Sequence, residues 1–144
     1  MFQKHSKYFE GILQLRNPSK EILDYINKAE DASRKPMISQ LKKVKNGFDV
    51  YFISNDTLMS FGRTLQQKFG GEMKTSARLH TRSRQTSKEL YRVSVLLRLP
   101  FYNVGDVIEV KGEMYKVLLM GKKVFASNLE TGKKVTFRYK ELPE

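Results

Sequence analysis

Cysteine and tryptophan are absent from this chain of 144 residues, and histidine occurs only at His5 and His80. Without cysteine there is no disulfide, no thiolate nucleophile and no zinc site built on C-x-x-C pairs. That fits a reducing compartment. A catalytic histidine needs an orienting partner and a nucleophile within hydrogen-bond reach, and the sequence offers neither pairing. No G-x-S-x-G or H-E-x-x-H string occurs, and Gly132-Lys133 lacks the upstream glycine of a phosphate-binding P-loop. The acids Glu10, Asp49, Asp56 and Glu72 fall at element starts or on strands, and Asp56 reads as a helix cap. No apolar run approaches the ~20 residues that span a bilayer, and no secretory segment follows Met1. The expectation is a cytoplasmic, non-catalytic protein with no metal, no cofactor and no membrane partner.

Charge is what the chain does have. Twenty-seven Lys and Arg against fifteen Asp and Glu leave a formal net charge of +12. Such an excess binds phosphate without regard to sequence, because each neutralised phosphate releases condensed counterions. It also serves simple solubility, so the distribution of the charge has to decide.

Along the chain, Tyr8–Leu15 reads as a strand with Phe9, Leu13 and Leu15 on one face. Asn17-Pro18 reads as a helix start, with Asn as the cap and Pro at the first helical position. Ile22, Leu23, Ile26 and Ala29 give that helix an apolar stripe, and Pro36 ends it. Ser39–Lys45 and Phe48–Ile53 form a hairpin around Asn46-Gly47. A second helix runs from about Asp56, with Leu58, Phe61, Leu65 and Phe69 inward and Gly70-Gly71 as its close.

Residues 72–99 read as a long basic hairpin. On its return arm Tyr91, Val93, Val95, Leu97 and Leu99 point inward and Arg92, Ser94 and Arg98 outward, with Leu96 breaking the alternation. The tip, Thr81–Ser87, is polar and has no apolar anchor. Lys74, Arg78, Arg82, Arg84, Lys88 and Arg92 face a single acid, Glu89. Arginine suits phosphate because its planar fork donates two parallel hydrogen bonds. The competing reading is a solvated ribbon whose charges guard an edge, but the clustering of one sign favours RNA.

After Pro100 come four short strand-like runs, Val104–Val110, Glu113–Met120, Val124–Ser127 and Lys133–Phe137, with turns at Lys111-Gly112, Gly121-Lys122 and Thr131-Gly132. This pattern suggests a small SH3-like barrel that leans on the preceding residues. Lys122, Lys123, Lys133 and Lys134 form smaller basic clusters on its turns, as do Lys42, Lys43 and Lys45 earlier. Tyr102, Tyr115, Phe125 and Tyr139 could stack on bases, although Tyr115 and Phe125 are better placed as core residues. The fold class is therefore α+β: a β-α-β-β-α-β-β domain over 1–100, then the SH3-like barrel over 101–144.

Three strings are familiar: Tyr8–Arg16 (YFEGILQLR), Lys45–Phe52 (KNGFDVYF) and Leu90–Pro100 (LYRVSVLLRLP). They resemble the archaeal branch of the large-subunit nuclear-export adaptor family, first named for nonsense-mediated decay, and the resemblance covers about residues 8–143. The tail Asn128–Val135 (NLETGKKV) is similar to the later strands of the module that the family shares with translation factor five A. The resemblance implies an assembly or quality-control factor on the intersubunit face of the large ribosomal subunit. It implies RNA contacts at or near the tRNA exit site, subunit RNA and proteins as partners, and a monomer off the ribosome. The family's zinc region has no counterpart here, and no leucine-rich export tail precedes Glu144, so subunit binding is expected rather than export. In translation factor five A a longer loop carries a lysine extended to hypusine. The turn Gly121-Lys122-Lys123 is too short to project such a group, and both lysines are expected unmodified. Two rival readings are an RNA-modifying or RNA-cleaving enzyme with an accessory SH3-like module, and a stable ribosomal protein.

Overall fold

The computed structural model of the chain describes residues 8–82 and 89–143. Among them lie two α-helices and nine strands in two sheets, with the order β1 (Gly11–Arg16), α1 (Lys20–Ala32), β2 (Ile38–Val44), β3 (Gly47–Phe52), α2 (Asn55–Phe69), β4 (Glu72–Arg82), β5 (Glu89–Arg98), then β6 (Val107–Val110), β7 (Glu113–Met120), β8 (Val124–Asn128) and β9 (Lys134–Phe137). The architecture is mixed α and β and mostly strand. Neither helix is long and apolar enough to cross a membrane.

The first sheet runs β2-β3-β1-β5-β4. Its central strand β1 lies antiparallel to β3 and parallel to β5. Alternation sends Leu13, Leu15, Val50, Phe52, Val95 and Leu97 to one face, where they pack into one cluster with Ile22 and Ile26 of α1 and Leu58 and Leu65 of α2. Tyr25 stacks on Phe61 across the two helices, with ring centroids 6.0 Å apart. Both helices therefore cover the same face. The opposite face carries Ile12, Gln14, Arg16, Asp49, Tyr51, Ser94, Leu96 and Arg98, and no helix covers it.

Several local expectations are corrected. Ser19, not Asn17, caps α1: its hydroxyl accepts from the Ile22 N–H at 3.3 Å. Asn17 instead adopts a left-handed conformation (φ 56°) and its side-chain amide donates to the carbonyl of Leu99 at 3.0 Å. Likewise Ser54 caps α2 by accepting from Thr57 N–H, and Asp56 sits in the first turn. Glu10 adds a second N-terminal partner by accepting from Asn55 N–H at 2.9 Å. The hairpin turn is Lys45-Asn46 rather than Asn46-Gly47: Asn46 takes the positive φ of 68°, while Gly47 opens β3. Gly47 is required by close approach, since a Cβ there would run into the Leu15 carbonyl. Phe9 leaves the face of Leu13 and Leu15 because the chain bends at Glu10 before β1 begins. It lies edge-on to Tyr51, with ring centroids 4.8 Å apart.

The second sheet is antiparallel in the order β6-β7-β8-β9. Tyr102, Ile108, Val110, Tyr115, Val117, Val124, Ala126, Phe137 and Leu142 fill its core. Phe125, expected inside, is 45% exposed, because it alternates with Val124 and Ala126 and shares the outer face with Leu119. The strand expected over Val104–Val110 begins only at Val107.

The second sheet sits where β5 leaves and β4 enters the first. Gly70, with φ 76°, closes α2 there, and a Cβ on it would lie 2.8 Å from both Met120 Cβ and the Tyr139 hydroxyl. That hydroxyl donates to the Gly121 carbonyl at 2.6 Å. Glycine is thus what allows the β7–β8 turn to seat against the end of α2.

Candidate nucleic-acid interface

The long hairpin outgrows its sheet. β1 supports β5 only from Val93 to Arg98, whereas β4 and β5 stay paired through Arg78–Arg92, Leu79–Tyr91, Thr81–Leu90 and Arg82–Glu89. Past Val93 the hairpin is a two-stranded ribbon, which has little stability unaided. Two contacts anchor its root. The Asn55 side-chain amide donates to the Tyr91 carbonyl at 2.9 Å, and the Arg92 guanidinium lies 4.1 Å from the centre of the Phe9 ring.

The ribbon presents two different faces. Arg78 and Arg92 are cross-strand partners on the side continuous with the helix-free face of the sheet. Leu79 and Tyr91 oppose each other on the other side and are 56% and 46% exposed. Tyr91 was expected to point into the core. It does lie on the core face, but it sits beyond the end of β1, where α2 reaches its backbone only through Asn55 and leaves the ring 46% exposed.

Lys74, also exposed, sits near the base of β4, next to Leu96. Arg82 is a strand residue whose side chain, like the whole of Arg84 and Lys88, lies outside the described residues. The predicted cations thus do not form one patch: Lys74 is separated from Arg82 by most of an 11-residue strand. The lysine pairs of the second sheet are also apart. Lys122 and Lys123 occupy the β7–β8 turn beside α2, whereas Lys133 and Lys134 lie at the opposite end of β8. All four are exposed.

Cations that the sequence does not show as neighbours, Arg16, Lys45, Arg98 and Lys140, gather where the second sheet meets the helix-free face. Arg16 and Arg98 are register partners at the ends of β1 and β5. Arg16 donates to the Leu15 carbonyl at 2.9 Å and pairs with Asp49 at 3.0 Å. Arg98 approaches Glu72 more loosely, at 4.0 Å. Lys45 and Lys140 reach the same place from the β2–β3 turn and the C-terminal 3-10 turn. The outward positions of Arg16 and Arg98 could be read from alternation, but the parallel pairing that makes them neighbours could not. Tyr102 and Tyr139 back the junction. Burial, together with the nearby Tyr139, pushes the Tyr102 hydroxyl up to about 12.

The sheet with its two helices and its hairpin is the part of the chain that known proteins share. The family model described as NMD3, second domain, matches residues 8–99. The chain belongs to the NMD3 family. That match stops at the end of β5, so the second sheet lies beyond it. The NMD3 family is associated with binding and export of the large ribosomal subunit. No curated protein matches the chain.

Proposed function

We propose that this NMD3-family chain is a ribosome-binding assembly or quality-control factor that contacts large-subunit ribosomal RNA, at or near the tRNA exit site, mainly through the β4–β5 hairpin. The observation that carries the proposal is the ribbon itself. It extends beyond the sheet, sets Arg78 beside Arg92 on one face and leads toward Arg82, Arg84 and Lys88. A projecting cationic ribbon suits a groove between phosphate backbones, and arginine forks hold phosphate in two parallel hydrogen bonds. Lys74, Lys122, Lys123, Lys133 and Lys134 supply secondary contacts in this reading.

Residues 1–100 act as the RNA-binding domain, and 101–144 as an SH3-like barrel similar to that of translation factor five A. The four-stranded antiparallel order and the tight turns of the second sheet support that assignment. The protein works as a cytoplasmic monomer when off the ribosome, with subunit RNA and proteins as partners and no catalytic step. Co-sedimentation tests the proposal. The chain should pellet with large subunits at low salt, small subunits should leave it in the supernatant, and Arg78→Ala with Arg92→Lys should weaken the association. Equal pelleting with both subunits would reduce the claim to nonspecific charge.

A further inference from the structure

The junction between the two sheets encloses a cleft of about 750 Å³, within the ~300–1,000 Å³ typical of small-ligand sites. Arg16, Lys45, Lys74, Arg98 and Lys140 line it against one acid, Glu72. Two of these cations are partnered already, Arg16 by Asp49 and Arg98 by Glu72. Lys45, Lys74 and Lys140 are exposed and form no ion pair among the described residues. A concave wall with unneutralised cations concentrates anions.

At the mouth stands Phe101, 75% exposed, more than any other large apolar side chain described. The backbone that leads to it is tied down. The Leu99 N–H donates to the Arg16 carbonyl at 2.9 Å, and the Asn17 amide donates to the Leu99 and Pro100 carbonyls at 3.0 and 3.4 Å. These bonds fix the chain immediately before Phe101, so the position from which the ring projects is set. An exposed ring beside unneutralised lysines is how unpaired nucleotides are held: cations take the backbone and the π-face takes a base. The interior of a duplex offers no base face to such a ring, and a purely acidic chain such as oligoglutamate would leave it unused.

We propose that this cleft binds a segment of single-stranded RNA, with Lys45, Lys74 and Lys140 on its phosphates and Phe101 stacked on an unpaired base. The proposal rests on the reading of the chain as an RNA binder, but assigns a second site, at the base of the hairpin and distinct from the ribbon that projects beyond Val93. The full chain should be titrated with a labelled oligouridylate and, separately, with an RNA duplex of equal length.

Phe101→Ala should weaken oligouridylate binding by about 5- to 160-fold, the range for losing one stacked base, and leave duplex binding unchanged. Because the ring is exposed, the thermal midpoint should not move. Lys74→Ala with Lys140→Ala should flatten the salt slope for oligouridylate by about 1.4, at ~0.7 per single-strand contact. Oligouridylate binding indifferent to Phe101→Ala would overturn the proposal, as would displacement by oligoglutamate at equal charge. Duplex binding without oligouridylate binding would remove the cleft alone. Failure of both probes would remove the RNA reading itself.

Discussion

The two sheets reach their cores by different means. In the first, Leu13, Leu15, Ile22, Val50, Phe52, Leu58, Leu65 and Leu97 are all at 0% exposure, because two helices seal one face. In the second, only Val117 and Val124 reach that level, and most of the remaining core stays 6–9% exposed. No helix covers the second sheet on its own. It gains cover where Met120 and Tyr139 settle against Gly70 at the end of α2. The difference in cover leads to the expectation that the first sheet stands alone while the second depends on it, and that the cleft between them forms only when they are docked.

The largest effect should come from separation. Residues 101–144 alone should melt weakly and without cooperativity, since so small a core rarely supplies more than ~3–5 kcal/mol. Sharp two-state unfolding of that piece would erase the contrast. Next in size is Phe52→Ala, which empties a fully buried site in the first core and should cost about 3–5 kcal/mol by denaturant unfolding. The same change at the half-exposed Phe125 should stay within about 0.5 kcal/mol.

Gly70→Ala sharpens the comparison at the contact itself. The new Cβ meets Met120 and Tyr139 at a left-handed φ, so a loss of about 1–3 kcal/mol is expected. Calorimetry should show the second sheet melting ahead of the first. A single unchanged transition would mean that the sheets do not depend on this contact.

The effect confined to the narrowest conditions is a pH response. Burial raises the Tyr102 hydroxyl from 10.0 to about 12 in the folded chain. Between those values the unfolded chain has lost the proton and the folded chain still holds it, so stability falls as pH rises through that window. Below pH 10 this residue leaves the thermal midpoint unaffected. Tyr102→Phe should make the decline between pH 10 and 12 shallower, and an unaltered decline would place its source elsewhere.

Much of this was legible in the sequence because local patterns agreed with the tertiary outcome. The alternation at Val93, Val95 and Leu97 and the stripe at Ile22 and Ile26 identified core faces that the helices do cover. Tyr91 belongs to the same alternation yet is exposed, because periodicity says which side a residue faces and not how far the covering layer extends. The caps were misread since Asn17-Pro18 and Asp56 carry the right chemistry one or two residues from Ser19 and Ser54, which make the bonds. The hairpin cations were visible as a run of one sign. The cleft was not. Arg16, Lys45, Lys74, Arg98 and Lys140 are scattered from one end of the chain to the other, and only the strand order and the seat at Gly70 bring them together.

The central claim, RNA held by the projecting hairpin, is tested most directly by the salt dependence of binding to a large-subunit ribosomal RNA fragment. If about four hairpin cations meet phosphates, log K should fall against log salt with a slope of roughly −3, at ~0.7–0.9 per contact. Replacing Arg82 and Arg84 with alanine should flatten that slope by about 1–2 and leave the thermal midpoint in place. A slope that the two substitutions leave unchanged would contradict the account and move the RNA contact off the hairpin.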